Sequence, residues 1–538
     1  MNYPKSTVEK RFYLIFSVIL QAVLLNLAWP PHQSSYLAFV GFMPLLFMHR
    51  AHWVNPSGMF LLALPAFFLF HLMAGWWMYS STVAGSLMAH LVNSFCMAAV
   101  LFLWSVMDRS FKAGPVLSSV ILISFWICFE WLHHHWDIAW PWFTLGNVFS
   151  DRTSWIQWYS YSGVLGGSIW VLSVNFILTD ALVRWTRQSH NRAITGFIMG
   201  LIVLIVPILI SNQLWSSTGV AGKSLKVIIV QPDIDPVLEK FDRMAEEQQI
   251  AKALNLINNV RPGVADLIVF PETLITQAIN EDSLFSAQSM QRILSATVPA
   301  PCANIIVGAY TTISASALPD EPAVMMNGEE AYVLYNSAIF AQKDTLSVYH
   351  KSELLPLVEK QPFGWLLSPF RTFIEGSGGF FGSYGTHQRA LTFNLGDSIS
   401  LIPAICFESV FGHRVRNRSH ENPAILVTLT NDGWWSSSGG YMQHLNYARL
   451  RSIENRLWTI RAANTGVSAI IDANGTVVKH TSYGTSEILF AEVPALTQSS
   501  FYARYGDIPG IVSAISSFLL LIMYFFNLFR IGKRRTIY

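Results

Sequence analysis

Eight predominantly apolar stretches, near 12–29, 35–49, 58–78, 86–107, 115–135, 163–183, 194–212 and 508–529, constrain this chain more than any other feature. About 20 apolar residues suffice for a helix to cross a hydrocarbon core, where every backbone N–H and C=O has to be satisfied internally. All eight are expected to be membrane spans, that at 35–49 being the shortest. Composition agrees, with 52% hydrophobic and 13% charged residues and a mean hydropathy of +0.37. Basic residues sit at the N-terminus (Lys5, Lys10, Arg11), at alternate connections (Arg50; Arg109 and Lys112; Arg184, Arg187 and Arg192) and in the tail (Arg530, Lys533, Arg534, Arg535). The intervening connections are nearly bare, and the long 136–162 loop holds only Arg152. Under the positive-inside rule both termini are then cytoplasmic, and the region between the last two spans lies on the far side. The first span ends in "LNLAWPPHQ" without a small-residue cleavage site, so it is expected to be an uncleaved anchor.

Three regions follow: a seven-span membrane domain at 1–212, a globular domain at 213–507, and a last span with a basic tail at 508–538. The net charge of +2 does not point to nucleic acid, since topology accounts for the basic residues. Cys96, Cys128, Cys302 and Cys406 are too few and scattered for a disulfide framework.

In the globular region short apolar runs alternate with helical stretches. Strands are expected at 224–232, 265–272, 304–311, 335–342, 398–408, 424–432, 466–472 and 475–481, and helices at 238–260, 283–297 and 440–456. Continuous apolar runs suit strands covered on both faces, and the alternation suggests an α/β layered domain. Three apolar runs end in reactive groups. "DLIVFPET" delivers Glu272, "VYHKSELLPLVE" delivers Lys351 and then Glu359, and "LIPAICFESVFG" delivers Cys406, followed by Phe407 and Glu408. A thiol, a carboxylate and an ammonium group at strand ends can act as nucleophile, proton acceptor and oxyanion donor. Each also has a structural reading: Glu272 as a helix cap, Lys351 as a solvated turn residue, Cys406 as a small core residue.

In the order "FPE", "HKSELLP", "ICFES", these segments resemble the carbon–nitrogen hydrolase (nitrilase) superfamily with its Glu–Lys–Cys triad. With the spans around them, the chain resembles the apolipoprotein N-acyltransferase branch. The likeness extends to "WPW" and "LGN" (140–147), "VQPDI" (230–234), "YNSA" (335–338), "TNDGWW" (430–435) and "RAANTGVSAIID" (461–472). The resemblance implies an αββα sandwich on the extracytoplasmic side of a bacterial inner membrane. It implies transfer of an acyl chain from a phospholipid to the α-amine of a diacylglyceryl-cysteine apolipoprotein, through a Cys thioester and ping-pong kinetics. Cys406 would be the nucleophile, Glu272 the proton acceptor and Lys351 the oxyanion stabiliser, supported by Glu359 and Glu408. Phe241, Asn336, Phe407, Trp434 and Trp435 would contact substrate. No metal or cofactor is implied, and the protein is expected to be a monomer. The chain departs from the family in having Phe407 where tyrosine is common, Phe241 where tryptophan is common, and "PLVEKQP" around Glu359.

Other features have two readings each. The loop 363–385, rich in glycine and aromatics, suits a lid over acyl chains or core packing. His133, His134 and His135 are consecutive, so an interfacial belt fits them better than a metal site. Glu130 is either a functional intramembrane carboxylate or one that snorkels to the interface. His444 suits substrate binding or packing. The rival enzyme is a membrane-anchored nitrilase or amidase that hydrolyses a C–N bond. A transporter would require polar or broken spans and internal symmetry.

Overall fold

The computed structural model describes residues 7–215, 221–241, 244–261, 263–297, 304–317, 325–327, 330–342, 345–363, 369, 383–386, 391–396, 399–416, 422–497 and 499–535. The chain divides into two compact units, one of residues 1–79, 86–215 and 505–538, the other of 80–85 and 216–504.

Seven helices of the described residues are long and apolar enough to cross a membrane: Val8–Ala28, Pro56–Ala74, Val83–Ser110, Pro115–His133, Tyr159–Thr186, His190–Trp215 and Ile508–Leu528. The expected span at 35–49 differs. It forms two short helices, Ala38–Gly41 and Met43–Arg50, broken at Phe42. Pro44 explains the break, because it has no N–H for a continuing helix and fits the first turn of a new one. The groups freed there are matched by Asn175 on the helix Tyr159–Thr186. Its Oδ1 accepts from the Phe42 N–H at 2.9 Å, and its Nδ2 donates to the Ala38 carbonyl at 2.7 Å.

Glu130 does not snorkel. It is buried and accepts from the Trp126 indole N–H (2.9 Å) and the Leu145 N–H (2.8 Å), tethering the turns at Pro141–Phe143 and Leu145–Phe149. The three histidines diverge. His133 Nε2 lies 3.0 Å from the Trp140 carbonyl oxygen, His134 Nε2 lies 3.1 Å from Thr144 Oγ1, and His135 is exposed.

The described strands of the second unit are β1 (Ala221–Gln231), β2 (Leu267–Val269), β3 (Ile275–Asn280), β4 (Asn304–Ser314), β5 (Met325–Asn327), β6 (Glu330–Gln342), β7 (Thr345–His350), β8 (Phe393–Leu395), β9 (Ile399–Ile405), β10 (Ala424–Thr430), β11 (Thr459–Ala463), β12 (Ala469–Ile471), β13 (Val477–His480) and β14 (Glu487–Leu496). The main ladder runs β13-β12-β11-β10-β14-β1-β2-β4-β6-β5. β9 joins β10, β8 joins β9, β7 joins β6 and β3 joins β4.

β1 and β14 are antiparallel from Ala221↔Leu496 to Gln231↔Glu487 and form the seam between the two halves. Leu225, Val227 and Ile229 of β1 share one core with Leu401 and Ile405 of β9 and with Ile425 and Val427 of β10. Ile228 and Val230, on the opposite face of β1, pack instead with Ile250, Leu254 and Ile293 of the helices Glu246–Ile257 and Gln288–Thr297. The helix Gly439–Asn455 covers the other half through Ala448, against Ala469 and Ile471. The order of layers is α–β–β–α. It explains the continuous apolar runs: all seven residues of β9 and all seven of β10 are buried. At about 1.5–3 kcal/mol for each large aliphatic side chain, burial holds these strands firmly beneath the loops at their ends.

Three expectations shift at element level. The helix expected over 238–260 is a π-type turn at Pro236–Lys240 followed by a helix only from Glu246. The ten-residue β14 was not foreseen, because "EILFAEVPAL" mixes charge and proline into its apolar run. The loop 363–385 and Cys302 lie mostly or wholly outside the described residues.

Candidate active site

β9 ends at Ile405, and the chain turns sharply at Cys406, whose φ is 51°. A cysteine in the left-handed region is strained by about 1–3 kcal/mol, and such turns lift a side chain clear of its strand. Three contacts hold this one. Glu408 Oε2 accepts from the Ile405 N–H at 2.8 Å. Ser409 Oγ donates to the Cys406 carbonyl at 2.8 Å. His444 Nε2 lies 3.1 Å from that carbonyl, with its Nδ1 2.8 Å from Asp432 Oδ1. Asp432 in turn pairs with Arg461 at 2.5 Å, and all three of His444, Asp432 and Arg461 are fully buried. Burial works to raise the Asp432 carboxyl, but Arg461 and His444 outweigh it and hold it below its usual range. Burial lowers His444, against the pull of Asp432.

Glu408 faces away from open solvent. Its other oxygen accepts from the Ser352 N–H (3.0 Å) and from the hydroxyls of Ser352 and Tyr349. It thus ties the Cys406 turn to the segment carrying Lys351, and burial raises its pKa.

The other groups converge from β2, β6 and β7. After β2, Phe270 keeps the ladder by donating to the Ile306 carbonyl, and the turn Pro271–Glu272–Thr273 follows with Thr273 at φ 49°. Asn336 of β6 donates through Nδ2 to Glu272 Oε1 at 2.9 Å and to Glu359 Oε1 at 3.3 Å. Its carbonyl accepts from the Lys351 N–H at 2.9 Å, which fixes the residue just past β7. Lys351 Nζ then donates to Glu359 Oε1 at 2.8 Å and lies 3.5 Å from Glu272 Oε1. Glu359 Oε2 accepts from the Leu355 N–H at 2.8 Å.

This lysine is buried, which alone would lower its pKa. Glu359, Glu272 and Cys406 together push it well up, so it is a fixed cation. Burial pushes the Cys406 thiol up to about 12, with Glu272 adding to the effect and Lys351 opposing it. A thiol so placed does not ionise by itself at neutral pH and requires a base; Glu272 is a carboxylate beside it, and Lys351 a fixed donor for an anion.

The remaining expected residues separate. Phe241 and Trp434 are part-exposed and stack with ring centroids 5.8 Å apart. Trp435 is buried, its ring 5.4 Å from His444. Phe407 is buried edge-on against Phe411 and belongs to the packing beneath the turn. Sequence reasoning overlooked Lys240, which is buried with its Nζ 3.0 Å from the Glu272 carbonyl and 2.9 Å from Thr273 Oγ1. The signal was the proline at 236, which starts a turn of its own and separates this lysine from the helix beyond.

Two family models match the chain: the carbon–nitrogen hydrolase model over residues 226–501, and the apolipoprotein N-acyltransferase N-terminal domain model over residues 21–177. The apolipoprotein N-acyltransferase of Chlorobaculum tepidum is 28% identical over 536 residues, 94% of this chain and 96% of its own length. That of Bradyrhizobium diazoefficiens is 31% identical over 405 residues, 73% of this chain and 71% of its own. That of Geobacter metallireducens is 26% identical over 513 residues, 93% of each. With a carbon–nitrogen hydrolase domain, a matching membrane domain and relatives of this kind along nearly its whole length, the chain belongs to the apolipoprotein N-acyltransferases.

Proposed function

We propose that this enzyme moves an acyl chain from a membrane phospholipid to the N-terminal α-amine of a diacylglyceryl-cysteine apolipoprotein, in two steps through a thioester on Cys406. The observation that carries the reading is the cluster of Glu272, Lys351, Glu359 and Asn336 at the Cys406 turn. In the first step Cys406 Sγ attacks the ester carbonyl as Glu272 takes the thiol proton. Lys351 stabilises the oxyanion. Collapse breaks the C–O bond, Glu272 returns the proton to the leaving alcohol, and lysophospholipid departs. In the second step the neutral amine attacks the thioester carbonyl, Glu272 accepts an amine proton, the C–S bond breaks, and the proton returns to sulfur. An amide remains. Glu359 and Asn336 hold Lys351 and Glu272 in register throughout.

The exposed Phe241–Trp434 stack is an apolar platform of the kind that an acyl chain would cover. Counting the broken helix pair Ala38–Gly41 and Met43–Arg50 as a crossing of its own, between the bare 30–34 connection and Arg50, gives eight passes. With that count the Lys/Arg asymmetry supports placing residues 213–507 outside the cytoplasm, in the inner membrane of a bacterium, with 1–212 and 508–538 as the membrane portions.

Incubation of the purified protein with phospholipid alone should add one hydroxylamine-sensitive acyl chain, mapped to the Cys406 peptide by mass spectrometry. Cys406→Ala should show none. Hydrolysis of an amide or nitrile without any adduct would replace this reading with a membrane-anchored hydrolase.

A further inference from the structure

Lys240 has no part in the steps above, yet it is buried against them. Its Nζ donates to the main-chain oxygen of Glu272 and to the hydroxyl of Thr273, the two residues of the turn that presents the base. That turn is strained, with a β-branched residue at φ 49°. Its other side lies flush on β4: a Cβ at Gly308 would come within 2.5 Å of the Pro271 oxygen and 2.6 Å of Glu272 Cα. The lysine is itself anchored, its N–H donating to the Asp235 oxygen (2.8 Å) and its oxygen accepting from Gln249 Nε2 (2.6 Å). The Glu272 turn is therefore clamped between a glycine of the sheet and one buried ammonium group.

We propose that Lys240 is a positioning residue whose ammonium group locks the Glu272–Thr273 turn within reach of Cys406, so that loss of its proton slows acylation of the thiol. The inference rests on the function proposed above. Charge-assisted hydrogen bonds are roughly twice as strong as neutral ones, so a neutral amine holds the turn less firmly. The cation also offsets the Glu272 charge beside the thiol.

The charged and titratable groups facing Nζ are Glu272 from the turn and Cys406 from the end of β9. From its own turn, Asp235 and Glu239 direct their carboxylates to backbone N–H groups of that turn, and the helix Glu246–Ile257 contributes the neutral Gln249. Burial lowers the Lys240 pKa to about 8, while Glu272 and Cys406 pull it upward. Below that pH the lock is charged; above it the charge is lost. Cys406 titrates near 12, and Lys351 and Tyr310 are pushed well up, so these groups do not ionise near pH 8.

The test uses the full-length protein in detergent micelles with phosphatidylethanolamine carrying a labelled acyl chain. Single-turnover formation of the adduct is followed by intact mass between about pH 6 and 10. The wild-type rate should fall by about tenfold in total around pH 8 and then level off, since a neutral amine still holds the turn, only less firmly. Lys240→Gln keeps a hydrogen-bond donor without the charge. It should be slower by about tenfold near neutrality, with unchanged lipid concentration dependence and no alkaline limb at pH 8. Lys240→Met should be slower still and equally free of the limb. A Gln variant with the wild-type rate and the wild-type limb overturns the inference alone, even if the Met variant fails to fold. Absence of any adduct on the wild-type protein overturns the proposed function and this inference with it.

Discussion

Cys406 sits in a field that opposes its own ionisation, so the nucleophilic role proposed for it depends on its neighbours. Burial and Glu272 keep the proton on sulfur, while the Lys351 cation works the other way. Glu272→Gln removes the proposed acceptor for that proton, and Lys351→Met removes the fixed cation. Each is expected to lower the acylation rate by about 10²–10³, the range typical of a lost oxyanion donor, with folding intact by circular dichroism. Near-normal turnover of either folded variant would remove that residue from the mechanism. These three residues were legible in the sequence because each follows an apolar run, and strand ends build sites in layered α/β folds. Lys240 was not. Its turn runs on into the helix beyond, so the two read as one helix over 238–260, in which nothing singles out this lysine. Glu408 was legible as a neighbour but not in its role. Only the fold brings Tyr349 and Ser352 to its carboxylate.

At the scale of elements, buried polar side chains substitute for backbone bonds that interrupted elements lack. Asn175 does so for the broken helix at Phe42, which the hydropathy pattern alone could not reveal because its residues are apolar on both sides of the break. Asn175→Leu should leave the Phe42 N–H with only the Val40 carbonyl and take the Asn175 donor from the Ala38 carbonyl, at a cost of about 1–3 kcal/mol. The check is a lower melting temperature in detergent; an unchanged one would show that the break is satisfied otherwise. Asp432 works through side chains instead, joining Thr430 of β10, Arg461 of β11 and His444 of the helix Gly439–Asn455. Asp432→Asn would strand the buried Arg461 charge, and breaking one side of such a pair costs about 3–5 kcal/mol. Chemical denaturation should register the loss, and since His444 rests on the Cys406 carbonyl, acylation should slow as well. Expected strands were located well where the run carries no charge, as in β9 and β10. They were missed where a strand is identified by its partner, as with β14 alongside β1.

For the whole molecule, the distribution of Lys and Arg makes a prediction about sidedness that is independent of the chemistry. Ser482 is exposed, and a Ser482→Cys variant in intact cells should react with a membrane-impermeant thiol reagent added from outside once the outer envelope is opened. Labelling only after lysis would invert the topology. The chain order places the catalytic unit between the helices His190–Trp215 and Ile508–Arg535, an insertion of nearly 300 residues. Its first and last strands are neighbours: Ala221 faces Leu496 across the ladder, at the roughly 5 Å separation of paired strands. The insertion is therefore a bead whose entrance and exit coincide. The span between its ends is set by one zipped pair of strands and not by the length of chain inside, so residues can be added to or removed from its loops without moving those two ends apart.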